Sequence, residues 1–200
     1  MTSAMGLRVR QALGALCVGL SAAAQAHPHV WITQSIELEG KGTVISGLRE
    51  KWEFTHGFPV TTLIDPASIP RSGPFDARAT ATLRKEAFES LKDDGYFTHV
   101  YAGGKAVATA SPQSFAASIE NGNLVYTFLI PLKTPLDPSR ISVAIGIWDD
   151  SFFVDVQPSQ MASALPGPAV SKTCHGQVFE DRGHPIYGGA IFPIATHVTC

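Results

Sequence analysis

The sequence predicts a mainly β fold, a β-sandwich of about eight short strands with one covering α-helix. Three observations lead there. Several stretches alternate apolar and polar residues with a period of two, the pattern of a strand with one buried face. One stretch repeats its apolar residues at helical spacing. Gly (18) and Pro (14) are frequent among the 200 residues, which suits a turn-rich β architecture rather than a helical bundle.

Taken in order, the elements begin after a leader. Arg8 and Arg10 precede an apolar small-residue run over 12–20, and Ser21-Ala22-Ala23-Ala24-Gln25-Ala26 follows. A charged start, a short apolar core and an A-x-A end are the layout of a secretory signal. The run is about ten residues, short of the ~20 that span a bilayer. The expected plan is a signal peptide over 1–26, a β-sandwich domain over 27–156, a Pro-rich linker over 157–173 and a disulfide-bounded tail over 174–200. Cleavage after Ala24 satisfies the same small-residue rule as cleavage after Ala26.

Val30, Ile32, Ile36 and Leu38 share one face of a first strand, and Gly40-Lys41-Gly42 turns the chain into a second, with Val44, Leu48, Trp52 and Phe54 on its apolar side. Residues 57–75 read as an irregular connection. Leu83, Ala87, Phe88 and Leu91 then form one helical stripe, with Asp76 or Thr80 as cap and Gly95 as left-handed stop. Strands resume at Tyr96 to Tyr101 and Lys105 to Ala110. Asn121-Gly122 marks a hairpin between Ser114–Glu120 and Leu124–Ile130. Ile141, Val143, Ile145 and Ile147 make another alternating face, and Asp149-Asp150-Ser151 turns into Phe152 to Val156.

Composition narrows the function. Lys and Arg total 15 against 17 for Asp and Glu, so no basic excess points to nucleic acid. Without the leader the balance becomes 13 basic to 17 acidic over 174 residues, and two cysteines remain. In an oxidising compartment Cys174 and Cys200 read as a disulfide. The rival arrangement, a metal site of Cys174, His175, His184 and Cys200, fits no compact finger spacing.

The first mature residues carry the most chemistry. In His27-Pro28-His29, the His27 α-amine and ring nitrogen can chelate one metal and His29 offers another imidazole. Such donors suit Zn, Ni, Co or Cu. Period-two alternation puts His27, His29 and Trp31 opposite Val30 and Ile32. Pro28 has no amide proton, which excludes the square-planar copper site that needs both intervening amides. His56, at a strand end, and Asp150, in the Asp149-Asp150 turn, are the further candidate ligands. His99 alternates with Phe97 and Tyr101 and reads as a core histidine; His175, His184 and His197 matter only if they cluster. No G-x-S-x-G, H-E-x-x-H or phosphate loop is present.

Four stretches, Ala26-His27-Pro28-His29-Val30-Trp31, Lys51-Trp52-Glu53-Phe54, Gly95-Tyr96-Phe97-Thr98-His99-Val100 and Asp150-Ser151-Phe152-Phe153-Val154-Asp155, resemble an uncharacterised bacterial periplasmic family. Its members are labelled as the periplasmic component of an ABC-type transport system and are associated with nickel, cobalt or zinc. The resemblance covers His27 to about Val156. It departs where the family carries an acid after Trp-x-Phe and this chain has Thr55 and His56.

These observations lead to one expectation. It is a periplasmic accessory protein, not an enzyme, that binds a divalent transition metal at its mature N-terminus and serves a membrane metal transporter or permease. The mature chain has no membrane span. The alternatives are a metal-free β-sandwich docking on a membrane partner and, last, a histidine-brace copper enzyme.

Overall fold

The computed structural model describes residues 28–159 and 164–200. The leader, both cleavage positions and His27 lie outside the described residues. In chain order the strands are β1 (Val30–Lys41), β2 (Val44–His56), β3 (Gly73–Pro74), β4 (Thr98–Ala102), β5 (Lys105–Ala106), β6 (Gln113–Glu120), β7 (Asn123–Leu136), β8 (Val143–Ile147), β9 (Val154–Pro158), β10 (Ala164–Pro166), β11 (His175–Glu180) and β12 (Ile194–Thr199). They form two sheets. The larger runs β10-β1-β2-β7-β6-β3 with β9 also on β1, and the smaller runs β11-β12-β8-β4-β5. The mainly β, two-sheet expectation holds.

The larger sheet is built on three long antiparallel strands. β1 pairs with β2 from Trp31↔His56 to Lys41↔Val44, and β2 pairs with β7 from Phe54↔Leu124 to Ile45↔Leu136. Asn121 and Gly122 both have positive φ, 51° and 85°, as a two-residue hairpin turn between β6 and β7 demands. Register shifts near Gly40 and between Ile45 and Gly47 change one assignment on β2. Ile45 is buried and Val44, expected on the apolar side, is exposed, because a bulge reverses the alternation there.

Within the stretch read as a linker, over 157–173, the described strand residues tie down an edge. β9 and β10 both lie parallel to β1, Val30↔Val154 through Gln34↔Pro158 and then Ile36↔Ala164 through Leu38↔Pro166. Together they cover the outer edge of β1, which would otherwise offer unpaired backbone groups. Pro158 and Pro166 end these short strands, where a missing N–H is tolerated. The tail over 174–200 is equally integral: β12 sits between β11 and β8 in the smaller sheet. Cys174 and Cys200 form a disulfide with an S–S distance of 2.04 Å. That bond removes the alternative Cys/His metal site.

The expected helix forms as α2 (Ala77–Leu83), after a single turn α1 (Val60–Leu63). Asp76 caps it, its carboxylate accepting from the Ala79 N–H at 2.7 Å. The helical path widens into a π turn over Arg84–Phe88 and tightens into a 3-10 turn over Glu89–Lys92. Leu83 and Phe88 of the stripe are buried. Gly95, Tyr96 and Phe97 then have φ of 60°, 55° and 58°, so the strand expected from Tyr96 starts at Thr98 instead. Left-handed backbone at two bulky aromatics is a strained arrangement. It lays the Phe97 ring on Trp52, with centroids 5.9 Å apart. Lys105 to Ala110, read as one strand, pairs with β4 over 105–107 and then with β7 around Thr109.

Between the sheets lies one main core. Ile36, Leu38, Leu48, Trp52 and Phe128 from the larger sheet meet Val100, Val143, Ile145 and Val198 from the smaller one. Phe88 from the helical run packs on Phe128 at 4.7 Å.

Candidate functional site

The histidine-bearing end of β1 is fixed by two neighbours. The backbone N–H groups of His29 and Val30 donate to the Phe153 carbonyl at 2.8 and 3.2 Å, and the His29 ring stacks on Phe153 at 4.6 Å. On the other side, Gly57 has φ +84° and a Cβ there would lie 1.9 Å from the His29 carbonyl oxygen. Only glycine allows that approach. His56 comes next to it and packs edge-on to Trp31 at 5.1 Å, on the strand paired with β1.

Asp150 lies three residues before Phe153, and its Oδ1 accepts from Trp148 Nε1 at 3.1 Å. Asp149 is buried and shapes the turn, accepting from the Ser151 N–H at 2.9 Å and the Val154 N–H at 3.0 Å. Among the described residues, no three His, Cys, Asp or Glu side chains gather as a metal site would require. His29, His56 and Asp150 thus share one end of the molecule, with different immediate partners.

Two of the remaining histidines, His99 and His184, share one aromatic stack with Trp148 and Tyr101. His99 stacks on Trp148 at 4.2 Å and donates from Nε2 to the Trp148 carbonyl at 3.2 Å, and burial lowers its pKa. It is a half-buried packing histidine against Trp148, on the face of β4 opposite Val100 and not in the main core that its alternation with Phe97 suggested. His184 stacks on Tyr101 at 4.1 Å and meets Asp181 Oδ2 at 2.8 Å. His175 bonds to the Thr173 carbonyl and His197 to Ser142.

Beside the His29 end opens a cavity of about 530 Å³, between the larger sheet, the helical run and the loop over 149–154. Its floor is buried aromatic surface: Trp52, Phe54, Phe88, Phe97 and Tyr126. Its mouth is polar, with Ser90, Asp94, Asp150 and Ser151 exposed beside Phe153. Three carboxylates and no Lys or Arg are among its described lining residues. The Tyr126 hydroxyl is buried without a hydrogen-bond partner, and burial raises its pKa.

Behind the floor sits Glu50, fully buried on the inward face of β2 between Leu48 and Trp52. Its carboxyl accepts from Trp52 Nε1 at 2.9 Å and is hydrogen-bonded to Thr98 Oγ1 at 2.9 Å. Loss of solvation outweighs those two bonds and pushes its pKa up to about 8, so the group is protonated at neutral pH. Glu50 therefore fixes the Trp52 indole without placing a charge beneath the cavity. Sequence reasoning passed over it, although Leu48, Glu50, Trp52 and Phe54 share one strand parity. An acid in the middle of an apolar face was the available signal.

Residues 12–185 match the family described as "Protein of unknown function (DUF1007)". The chain belongs to that family. An uncharacterized 15.5 kDa protein in the trpE 3' region of Spirochaeta aurantia is 35% identical over 108 residues, covering 54% of this chain and 73% of that one. An uncharacterized protein of Haemophilus influenzae is 23% identical over 161 residues, 78% of this chain and 73% of its own. The DUF1007 match runs through both the His29 end and the cavity, so the two features lie within family sequence.

Proposed function

We propose that this DUF1007 protein is a periplasmic accessory protein that binds a divalent transition metal as cargo through its mature N-terminus and passes it to a membrane metal transporter. His27 and His29 are the primary ligands, with His56 and Asp150 at the same end as further donors. The supporting observation is the anchoring of His29: two backbone bonds to Phe153, the stacked Phe153 ring and the Gly57 contact hold this residue where β1 begins. A ligand held before the metal arrives loses less conformational freedom on binding. Neutral imidazoles match Zn, Ni, Co or Cu better than a harder cation. No helix among the described residues is long and apolar enough to cross a membrane, which fits a partner that supplies the membrane passage.

The test is N-terminal sequencing of exported protein, followed by elemental analysis and metal titration of the same sample. The reading expects His27 at the terminus, a bound metal, loss of binding in the double variant H27A/H29A and weaker binding when one residue is added before His27. Full metal retention in both variants, with unchanged melting, would refute it. A metal-free wild type whose melting ignores Zn, Ni, Co and Cu would favour the docking module instead.

A further inference from the structure

We propose that the cavity beside β1 is a binding site for a small organic cation, an amine with an aromatic body and one hydrogen-bonding atom at its far end. The ammonium head lies at the mouth, against Asp94 and Asp150. The body enters the aromatic chamber, and a small shift of the rings around Tyr126 lets the distal polar atom meet its buried hydroxyl.

Each part of that ligand answers a feature of the site. About 530 Å³ is in the range of small-molecule pockets, and this one has the usual build of apolar walls with a few convergent polar groups. Its charged lining is acidic, so an anion would meet Asp94, Asp149 and Asp150 with no described Lys or Arg to offset them. A cation meets both carboxylates and aromatic faces, each attractive to positive charge. Buried hydroxyls are normally hydrogen-bonded, yet Tyr126, a 1% exposed residue of the cavity wall, has a buried hydroxyl with no partner in the protein. A ligand atom that accepts from it, or donates to it, completes the site.

The floor is also held ready. Glu50 fixes the Trp52 indole, the Phe97 ring stacks on it, and the π turn sets Ala87 and Phe88 along the wall. This inference goes beyond the metal reading and does not depend on it: Asp150 is common to both sites, but Asp94 and Tyr126 are not among the proposed metal ligands.

Four matched probes test it on the exported protein, by ligand-observed NMR and by titration of tryptophan fluorescence. They are tyramine, phenethylamine, the neutral alcohol tyrosol and the anion 4-hydroxyphenylacetate. Tyramine is expected to bind about tenfold more tightly than the alcohol or the acid. Asp94→Asn should weaken tyramine roughly threefold. Tyr126→Phe should erase most of tyramine's advantage over phenethylamine, a factor of about 2–10 for one hydrogen bond. Both variants keep their metal content, and H27A/H29A keeps tyramine binding. Equal affinity for amine, alcohol and acid overturns the proposal. So does failure of all four probes to bind at about 10 mM, or unchanged tyramine binding in both cavity variants.

Discussion

Replacing Glu50 by Gln should make the protein more stable at pH 8 while leaving it nearly unchanged at pH 5. The reasoning starts from burial. In the folded chain Glu50 holds its proton up to about pH 8, whereas an exposed glutamate releases it near 4.5. Between those values the folded state binds more protons than the unfolded state. Stability is therefore fully present below about 4.5, declines as pH rises, and levels off above about 8. Each pH unit in that window removes about 1.4 kcal/mol, giving a ceiling of about 5 kcal/mol and a loss of about 3–4 kcal/mol between pH 5 and 8.

Glutamine suits the site. Its oxygen can accept from Trp52 Nε1, and its NH₂ can donate to Thr98 Oγ1, which is already 3.0 Å from the Tyr96 carbonyl and can donate there. No buried donor loses its acceptor. Urea unfolding of wild type and E50Q at pH 5, 6, 7 and 8 isolates the effect, because every other titrating group is common to both. Their stability difference should grow steadily with pH in favour of E50Q. A difference constant within about 0.5 kcal/mol across that range would mean that Glu50 titrates as an exposed acid does, and that the account of its burial is wrong.

Three more outcomes follow from particular contacts. Tyr126→Phe removes a buried hydroxyl that has no partner and should raise stability by about 1 kcal/mol in urea unfolding; a loss would show that the hydroxyl is satisfied. Gly57→Ala puts a Cβ within 1.9 Å of the His29 carbonyl at a φ of +84°, so it should cost at least about 2 kcal/mol and, on the metal reading, weaken binding with it. Joint replacement of Cys174 and Cys200 by Ala opens a loop of 26 residues' separation and should cost about 3–4 kcal/mol, checked against wild type with and without reductant.

Much of the fold was readable wherever a local pattern and its tertiary environment agreed. The alternation of Val30, Ile32, Ile36 and Leu38 marked β1, Asn121-Gly122 marked the hairpin of β6 and β7, and Asp76 capped the helix. Errors of extent arose where long-range pairing decides structure. Pro158, Pro166 and Pro168 suggest a linker locally, but β9 and β10 are strands because the edge of β1 is there to pair with. The tail likewise becomes sheet through β8, nearly fifty residues earlier. The site was less legible. A cavity is a property of surfaces that meet, and Phe97 reaches it only through left-handed backbone at Tyr96 and Phe97 that no propensity favours. Glu50 was missed although its signal was local. Its parity with Leu48 and Trp52 was visible in the sequence before any contact was known.

The loop over 149–154 joins the two proposed sites physically. Its Phe153 carbonyl anchors His29 and Val30, while the Phe153 side chain and Asp150 line the cavity mouth. Asp149 fixes the turn through Ser151 and Val154, and Trp148 ties Asp150 back to the smaller sheet. Phe152 sits at φ 56°, so the loop keeps this shape against a local backbone preference. A ligand that displaces Phe153 must then also disturb the anchor of His29. Coupling between sites requires such a shared element with differential contacts, and proximity alone does not provide it. If both sites bind, Asp150→Asn should weaken metal and amine together, while Asp94→Asn affects the amine alone. Tyramine at saturation should change metal affinity, and metal should change tyramine affinity by the same factor. Two affinities that ignore each other would leave two adjacent sites and no coupling through Phe153.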